Sequence, residues 1–281
     1  LWSWGLSNHG LFGNDDPVSI PTLVNSDITW NQFSLGSGHI LATKEDGSLW
    51  AWGSNLQGQL GDGGKFDLNS LSYVPTSNIY HPKLISTTCV GSTTQCNNWQ
   101  AIIPASNGAF NVMGIHQNGS LWSWGNGNGS PTQVDNDYDW QAIEGTTNFG
   151  VGLKQNGSLW TWGWGYMGDG GVQRLQQVPI QVGNDVWQKI AVWNNYVLAI
   201  KQDGTLWAWG NNLYGQLGDG TTTDKTIPTQ IGTSNNWVQI STNYHSSFGI
   251  KQDGTLWAWG NNADGRLGNG TTLNSNTPIQ V

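Results

Sequence analysis

Charge is what this chain has least of. Asp, Glu, Lys and Arg together make up 10% of its 281 residues, against roughly 25% in ordinary soluble domains. There are only ten Lys plus Arg, the net charge is −8, and Lys44, Lys154, Lys201 and Lys251 recur at one equivalent position that disperses them. Without a basic stripe to neutralise phosphates, nucleic acid is excluded as a partner. No apolar run reaches the ~18 residues of a spanning helix, so no membrane insertion is expected. The five histidines (His9, His39, His81, His116, His245) form no HxH, HxxxH or HExxH spacing. No nucleophile elbow and no phosphate-cradling loop occur either, so the reading is no catalytic residue, no metal site and no cofactor. The Asp-Gly pairs at Asp62, Asp169 and Asp219 read as turn formers, since one carboxylate per loop falls far short of a calcium shell.

Cysteine is nearly absent too. Cys89 and Cys96 sit in "CVGSTTQC", with no neighbouring His to complete a zinc site, and are expected to form a local disulfide. With so little charge, solubility falls to Asn, Gln, Ser and Thr. Amide-rich polarity and paired cysteines together predict an extracellular or cell-surface protein. The Asn-X-Ser/Thr triplets at Asn118, Asn128, Asn156 and Asn269 coincide with repeat turns and add little to that expectation.

What the chain has is tryptophan, 19 of them, arranged by repetition. Six copies of Leu-Trp-small-Trp-Gly begin at Leu1, Leu49, Leu121, Leu159, Leu206 and Leu256. A second phrase, Trp followed three residues later by an apolar residue, begins at Trp30, Trp99, Trp140, Trp187 and Trp237. A self-similar unit of roughly 40–50 residues signals a propeller or a solenoid. Each unit reads as four short strands. Strand A carries the Trp-x-x-apolar phrase and strand B the apolar run after it. An Asp-Gly or Asn-Gly pair, the strongest short hairpin signal, joins B to C. Strand C is Leu-Trp-small-Trp-Gly, and a Gly/Asn-rich loop leads to strand D. On strand C both indoles face one way and the small residue the other. The predicted packing sets the indoles of one blade against the slim face of its neighbour, at roughly 4–6 kcal/mol gross per buried indole.

"DGTLWAWGNNLYGQLGDGT" closely resembles the repeat of the regulator of chromosome condensation family, and the resemblance runs over essentially the whole chain. It implies an all-β, β-propeller fold of four-stranded antiparallel blades, usually seven, held in a single domain over 1–281. Here six repeats are recognisable. Repeat three lacks the Gly-Gln-Leu-Gly segment, and repeat two is swollen by enlarged loops over 64–98. The chain opens on strand C, so the first blade is expected to be incomplete, with its A–B hairpin either missing or supplied by a neighbouring copy.

Family resemblance leaves function open, because family members include a nucleotide-exchange factor, secreted enzyme inhibitors and modules without assigned roles. Topology puts A–B and C–D connections on one side of the blades. Trp164 and Trp193, the two tryptophans outside both repeated phrases, fall on that side with Tyr166, Asn194, Asn195 and Tyr214. Indoles flanked by amides and phenols suit a protein interface or a sugar ring. The expectation is a non-enzymatic binding or structural module, with strand complementation between copies as a route to assembly. An inhibitor that docks one enzyme, or a glycan-binding lectin, is the alternative.

Overall fold

A computed structural model describes residues 2–5, 18–23, 30–36, 38–63, 79–85, 98–104, 111–125 and 128–281. Cys89, Cys96 and most of the enlarged segment 64–98 lie outside them. The described residues are all-β, without a helix. They fall into two compact units, Leu1–Asp139 and Trp140–Val281.

The first unit holds a two-stranded pair, β1 (Trp2–Gly5) with β2 (Val18–Leu23), and two four-stranded antiparallel blades. Blade one is β3 (Trp30–Leu35), β4 (His39–Lys44), β5 (Leu49–Gly53) and β6 (Ile79–Leu84). Blade two is β7 (Trp99–Pro104), β8 (Asn111–His116), β9 (Leu121–Gly125) and β10 (Asn128–Gln133). The second unit has three blades. Blade three is β11 (Trp140–Gly145), β12 (Phe149–Lys154), β13 (Leu159–Gly165) and β14 (Arg174–Gln181). Blade four is β15 (Trp187–Trp193), β16 (Tyr196–Lys201), β17 (Leu206–Gly210) and β18 (Lys225–Gln230). Blade five is β19 (Trp237–Asn243), β20 (Ser246–Lys251), β21 (Leu256–Gly260) and β22 (Ser275–Gln280). Consecutive strands pair in every blade, as the repeat reading requires.

The Asp-Gly hairpins form, but not as two-residue turns. In blade one Gly47 N–H donates to Lys44 O at 3.0 Å, Lys44 N–H donates to Ser48 O at 3.0 Å, and Gly47 has φ 78°. That is a three-residue connection ending in a left-handed glycine, a role only glycine fills without strain. The Asp46 carboxylate fixes it by accepting from Ser48 N–H at 2.9 Å and from Ser48 Oγ at 2.6 Å. Ser48 Oγ in turn accepts from Trp50 Nε1 at 2.9 Å. The same relay recurs through Asn118, Ser120 and Trp122 and through Asp253, Thr255 and Trp257. Each Asp/Asn-Gly-Ser/Thr-Leu-Trp string is therefore one hydrogen-bonded unit.

The indoles pack as their alternation predicts. Leu41, Leu49, Ala51 and Leu60 of blade one form a core with Trp99, Trp122 and Trp124 of blade two. Val151, Leu153, Leu159 and Met167 of blade three do the same with Trp187 and Trp209 of blade four. Leu198, Leu206, Ala208 and Leu217 of blade four meet Trp237 and Trp259 of blade five. Trp52, Ala51, Trp209 and Ala208 are fully buried. The close fit needs glycine at Gly218, whose φ is 82° and whose added Cβ would stand 2.8 Å from Trp259 Nε1. Two of these joints also carry an indole hydrogen bond: Trp124 Nε1 donates to Gln59 O at 3.1 Å and Trp259 Nε1 to Gln216 O at 2.9 Å. At the joint of blades three and four, where Tyr166 and Met167 replace Gln and Leu, Trp209 Nε1 has no partner.

Candidate functional site

The A–B turns and C–D loops of blades four and five form the most distinctive surface of the second unit. In blade four Trp193 pairs with Tyr196 across a two-residue turn, Asn194–Asn195. Asn194 takes φ 49°, a conformation Asn adopts more readily than most residues. In blade five Asn243 pairs with Ser246 across Tyr244–His245, and both turn residues have positive φ, 42° and 66°. Asn-Gly is the natural occupant of such a turn. A bulky ring there stores strain of order 1 kcal/mol or more and turns outward what a glycine would not carry.

Four rings run together along this face. The Trp193 centroid lies 6.2 Å from that of Tyr244, Tyr244 lies 6.3 Å from His245, and His245 lies 5.0 Å from Tyr214. Tyr244 is 60% exposed. The Arg266 guanidinium sits 5.4 Å above its ring and pairs with Asp264. Burial, then the Arg266 charge, pulls the His245 imidazole below its usual range. Among the described residues, the hydroxyls of Tyr214 and Tyr244, the Trp193 indole N–H and the side-chain amides of Asn194 and Asn195 have no hydrogen-bond partner in the fold.

The backbone beneath is held firmly. Asn195 O accepts from Asn211 N–H at 2.9 Å, and Asn194 O accepts from Thr146 Oγ1 of blade three at 3.3 Å. Gln216 Nε2 donates to Asn211 Oδ1 at 2.7 Å while Gln216 Oε1 accepts from Tyr214 N–H at 2.8 Å. The turn and the neighbouring loop thus form one scaffold.

The structure unites four of the six predicted residues, Trp193, Asn194, Asn195 and Tyr214, and leaves two apart. Tyr166 spends its hydroxyl on Asp224 Oδ2 at 2.7 Å, a bond that pushes its pKa up to about 12. Trp164 is not in a loop but on β13, opposite Leu175 of β14. It is 47% exposed and makes no ring contact with the others among the described residues. Tyr244, His245 and Arg266 were missed. "NYHSS" holds no glycine to announce a turn, and only its alignment with "WNNYV" of blade four places Tyr244–His245 at the tip.

No group of His, Cys, Asp and Glu able to hold a metal occurs among the described residues. Asp219 serves its own loop: it accepts from Asn212 Nδ2 at 3.1 Å and Thr221 N–H at 3.0 Å and pairs with Lys225 at 3.1 Å. Asp169 pairs with Arg174.

Comparison with known proteins agrees with the geometry. The Regulator of chromosome condensation (RCC1) repeat matches residues 46–93, 203–250 and 253–281, and a second form of that repeat matches 30–59, 189–216 and 237–266, together more than half of the chain. Protein RCC2 homolog of Xenopus laevis is 39% identical over 71 residues, 24% of this chain and 14% of that protein. The RCC1 domain-containing protein RUG3, mitochondrial, of Arabidopsis thaliana is 27% identical over 132 residues, 45% of this chain and 25% of that protein. The chain thus spans a quarter or less of these relatives. Human WBSCR16 superposes with TM-score 0.78 at 19% identity, over all of this chain and 75% of that one. Prp20p of Saccharomyces cerevisiae, described by its binding to Gsp1p and histones, gives 0.60 at 17% identity, over all of this chain and 85% of that one. At such identities the two structures speak to fold alone. The extracellular or cell-surface location expected above is corrected by the curated relatives, one of which is mitochondrial. The physical reason is that the amides are structural: Asn55, Asn212 and Asn262 are buried inside their loops, so their abundance reports loop chemistry and not compartment.

Proposed function

Because this chain belongs to the regulator of chromosome condensation (RCC1) repeat family, we propose that it is a non-enzymatic protein-binding propeller that seats its partner on the turns Asn194–Asn195 and Tyr244–His245. The observation that carries this reading is Tyr244, a large exposed ring held at φ 42° in a turn that a glycine would occupy without cost. Trp, Tyr and Arg are the residues that dominate binding hot spots, and Trp193, Tyr244, Tyr214 and Arg266 meet on this face. Protein binding also describes Prp20p, which binds Gsp1p and histones and is itself bound by Kap60.

Affinity capture from the cells that make the protein, followed by titration of the recovered partner, tests the reading. Trp193→Ala with Tyr244→Ala should weaken that titration at least about tenfold. Tyr244→Ala alone should leave thermal melting unchanged, whereas Trp193→Ala, which trims a ring packed on the core of blades four and five, should lower it. A partner whose affinity ignores both substitutions would show that binding lies elsewhere. Should the partner be an enzyme, the same titration read as activity registers inhibition or activation.

A further inference from the structure

We propose that the aromatic face of blades four and five takes a proline-rich segment in the polyproline II conformation. The inference rests on the protein-binding reading above and names the chemistry of the partner. Three observations lead to it.

The first is hydrogen-bonding chemistry. The unengaged groups of the face include a row of donors, the hydroxyls of Tyr214 and Tyr244, the indole N–H of Trp193 and the amide N–H groups of Asn194 and Asn195, beside the Oδ1 acceptors of the two asparagines and the unpaired His245 Nδ1. A proline-rich segment is the complementary ligand, because proline has a carbonyl and no N–H, and polyproline II leaves every carbonyl facing outward without an internal partner.

The second is spacing. Trp193 and Tyr244 are 6.2 Å apart by ring centroid and tilted 40° to each other, and Tyr244 and His245 are 6.3 Å apart and nearly perpendicular. Polyproline II rises ~3.1 Å per residue, so successive rings are two residues apart along such a helix. Rings that tilt, rather than lie coplanar, leave notches for pyrrolidine rings, as aromatic-lined grooves do for Pro-rich ligands.

The third is charge. Arg266 is neutralised by Asp264 and turned over the Tyr244 ring, and no other cation is part of the run. An acidic or basic segment gains nothing here, and the net charge of −8 opposes nucleic acid. A rigid, uncharged segment that loses little entropy on docking is favoured.

Fluorescence anisotropy of the full chain titrated into labelled decaproline, with a labelled Gly-Ser decapeptide and cellohexaose as controls, decides the matter. Saturable binding to decaproline is expected, at least about tenfold tighter than to the Gly-Ser peptide. Tyr244→Ala should weaken it about tenfold or more, and Tyr244→Phe, which keeps the ring and removes the donor, about threefold. Leu175→Ser should leave it unchanged. Should Tyr244→Ala prove unstable by thermal melting, Tyr244→Phe and Asn194→Ala carry the test. Absent or equal binding to the two peptides, indifference to Tyr244, or Tyr244-dependent binding of cellohexaose in place of decaproline overturns the proposal. A captured partner that depends on Tyr244 but is not displaced by decaproline refutes this inference and leaves the binding reading intact.

Discussion

At the scale of single residues, the lysines of the repeat have a role that net charge conceals. Lys201 Nζ lies 3.5 Å from the Trp207 ring centroid and 5.2 Å from that of Trp187, and pairs with Asp185 at 2.9 Å. Lys44, Lys154 and Lys251 hold the same post, at 3.6, 4.4 and 3.9 Å from Trp50, Trp160 and Trp257. In blade two His116 replaces lysine and lies against Trp122 as a ring, 5.5 Å between centroids. Burial pulls its pKa down to about 4, so it serves there uncharged. Lys201→Met keeps the apolar stem and removes the cation. Urea unfolding should show a loss of about 1 kcal/mol, the usual worth of a partly desolvated cation–π contact. An unchanged unfolding midpoint would mean that the stem alone matters.

At the scale of elements, the C–D loops of blades four and five are organised by one asparagine each. Asn212 Nδ2 donates to Asp219 Oδ1, Thr221 O and Thr223 O, all at 3.1 Å, while its Oδ1 accepts from Leu217 N–H at 2.9 Å. Asn262 repeats the arrangement in blade five. Asn212→Ala should cost about 1–3 kcal/mol, because it strands the buried Leu217 amide and unties the carbonyls of the exposed Thr221 and Thr223, and should speed hydrogen exchange at Leu217. Exchange as slow as in the unmodified chain would show that the backbone holds the loop unaided. These loops mark where sequence reading stops. The strands and the B–C hairpins were legible, since period-two alternation and Asp-Gly act locally. The form of the hairpin was not, because the Asp46-to-Ser48 bond that selects it involves side chains two residues apart which an Asp-Gly rule ignores. Trp193 and Tyr214 stood out as breaks in the repeat. Tyr244 and His245 were hidden, because their exposure follows from a backbone conformation no residue in "NYHSS" announces.

At the scale of the whole molecule, two buried histidines and a partly buried glutamate set opposite limits on stability. Burial raises the Glu144 pKa to about 7 and lowers those of His39 and His116 to about 4. The native state therefore holds the Glu144 proton more tightly than the unfolded chain, and stability falls as pH rises from about 4.5 through 7. The histidines act the other way: the unfolded chain takes their protons first, so stability falls as pH drops from about 6.5 toward 4. Glu144→Gln should remove the alkaline decline. Between pH 5.5 and 8 the variant should gain about 2 kcal/mol relative to the unmodified protein in urea unfolding, and parallel pH profiles would show that Glu144 ionises without penalty.

The joint between blades four and five is sewn largely to main-chain oxygen. Trp259 Nε1 and Ser247 Oγ both reach Gln216 O, and Tyr196 Oη reaches Ser246 O. A carbonyl is supplied by any amino acid, so the stitches do not dictate which side chain stands at the position that receives them. The neighbouring tips, Tyr244–His245 among them, can change their lettering while the binding of the spine stays whole.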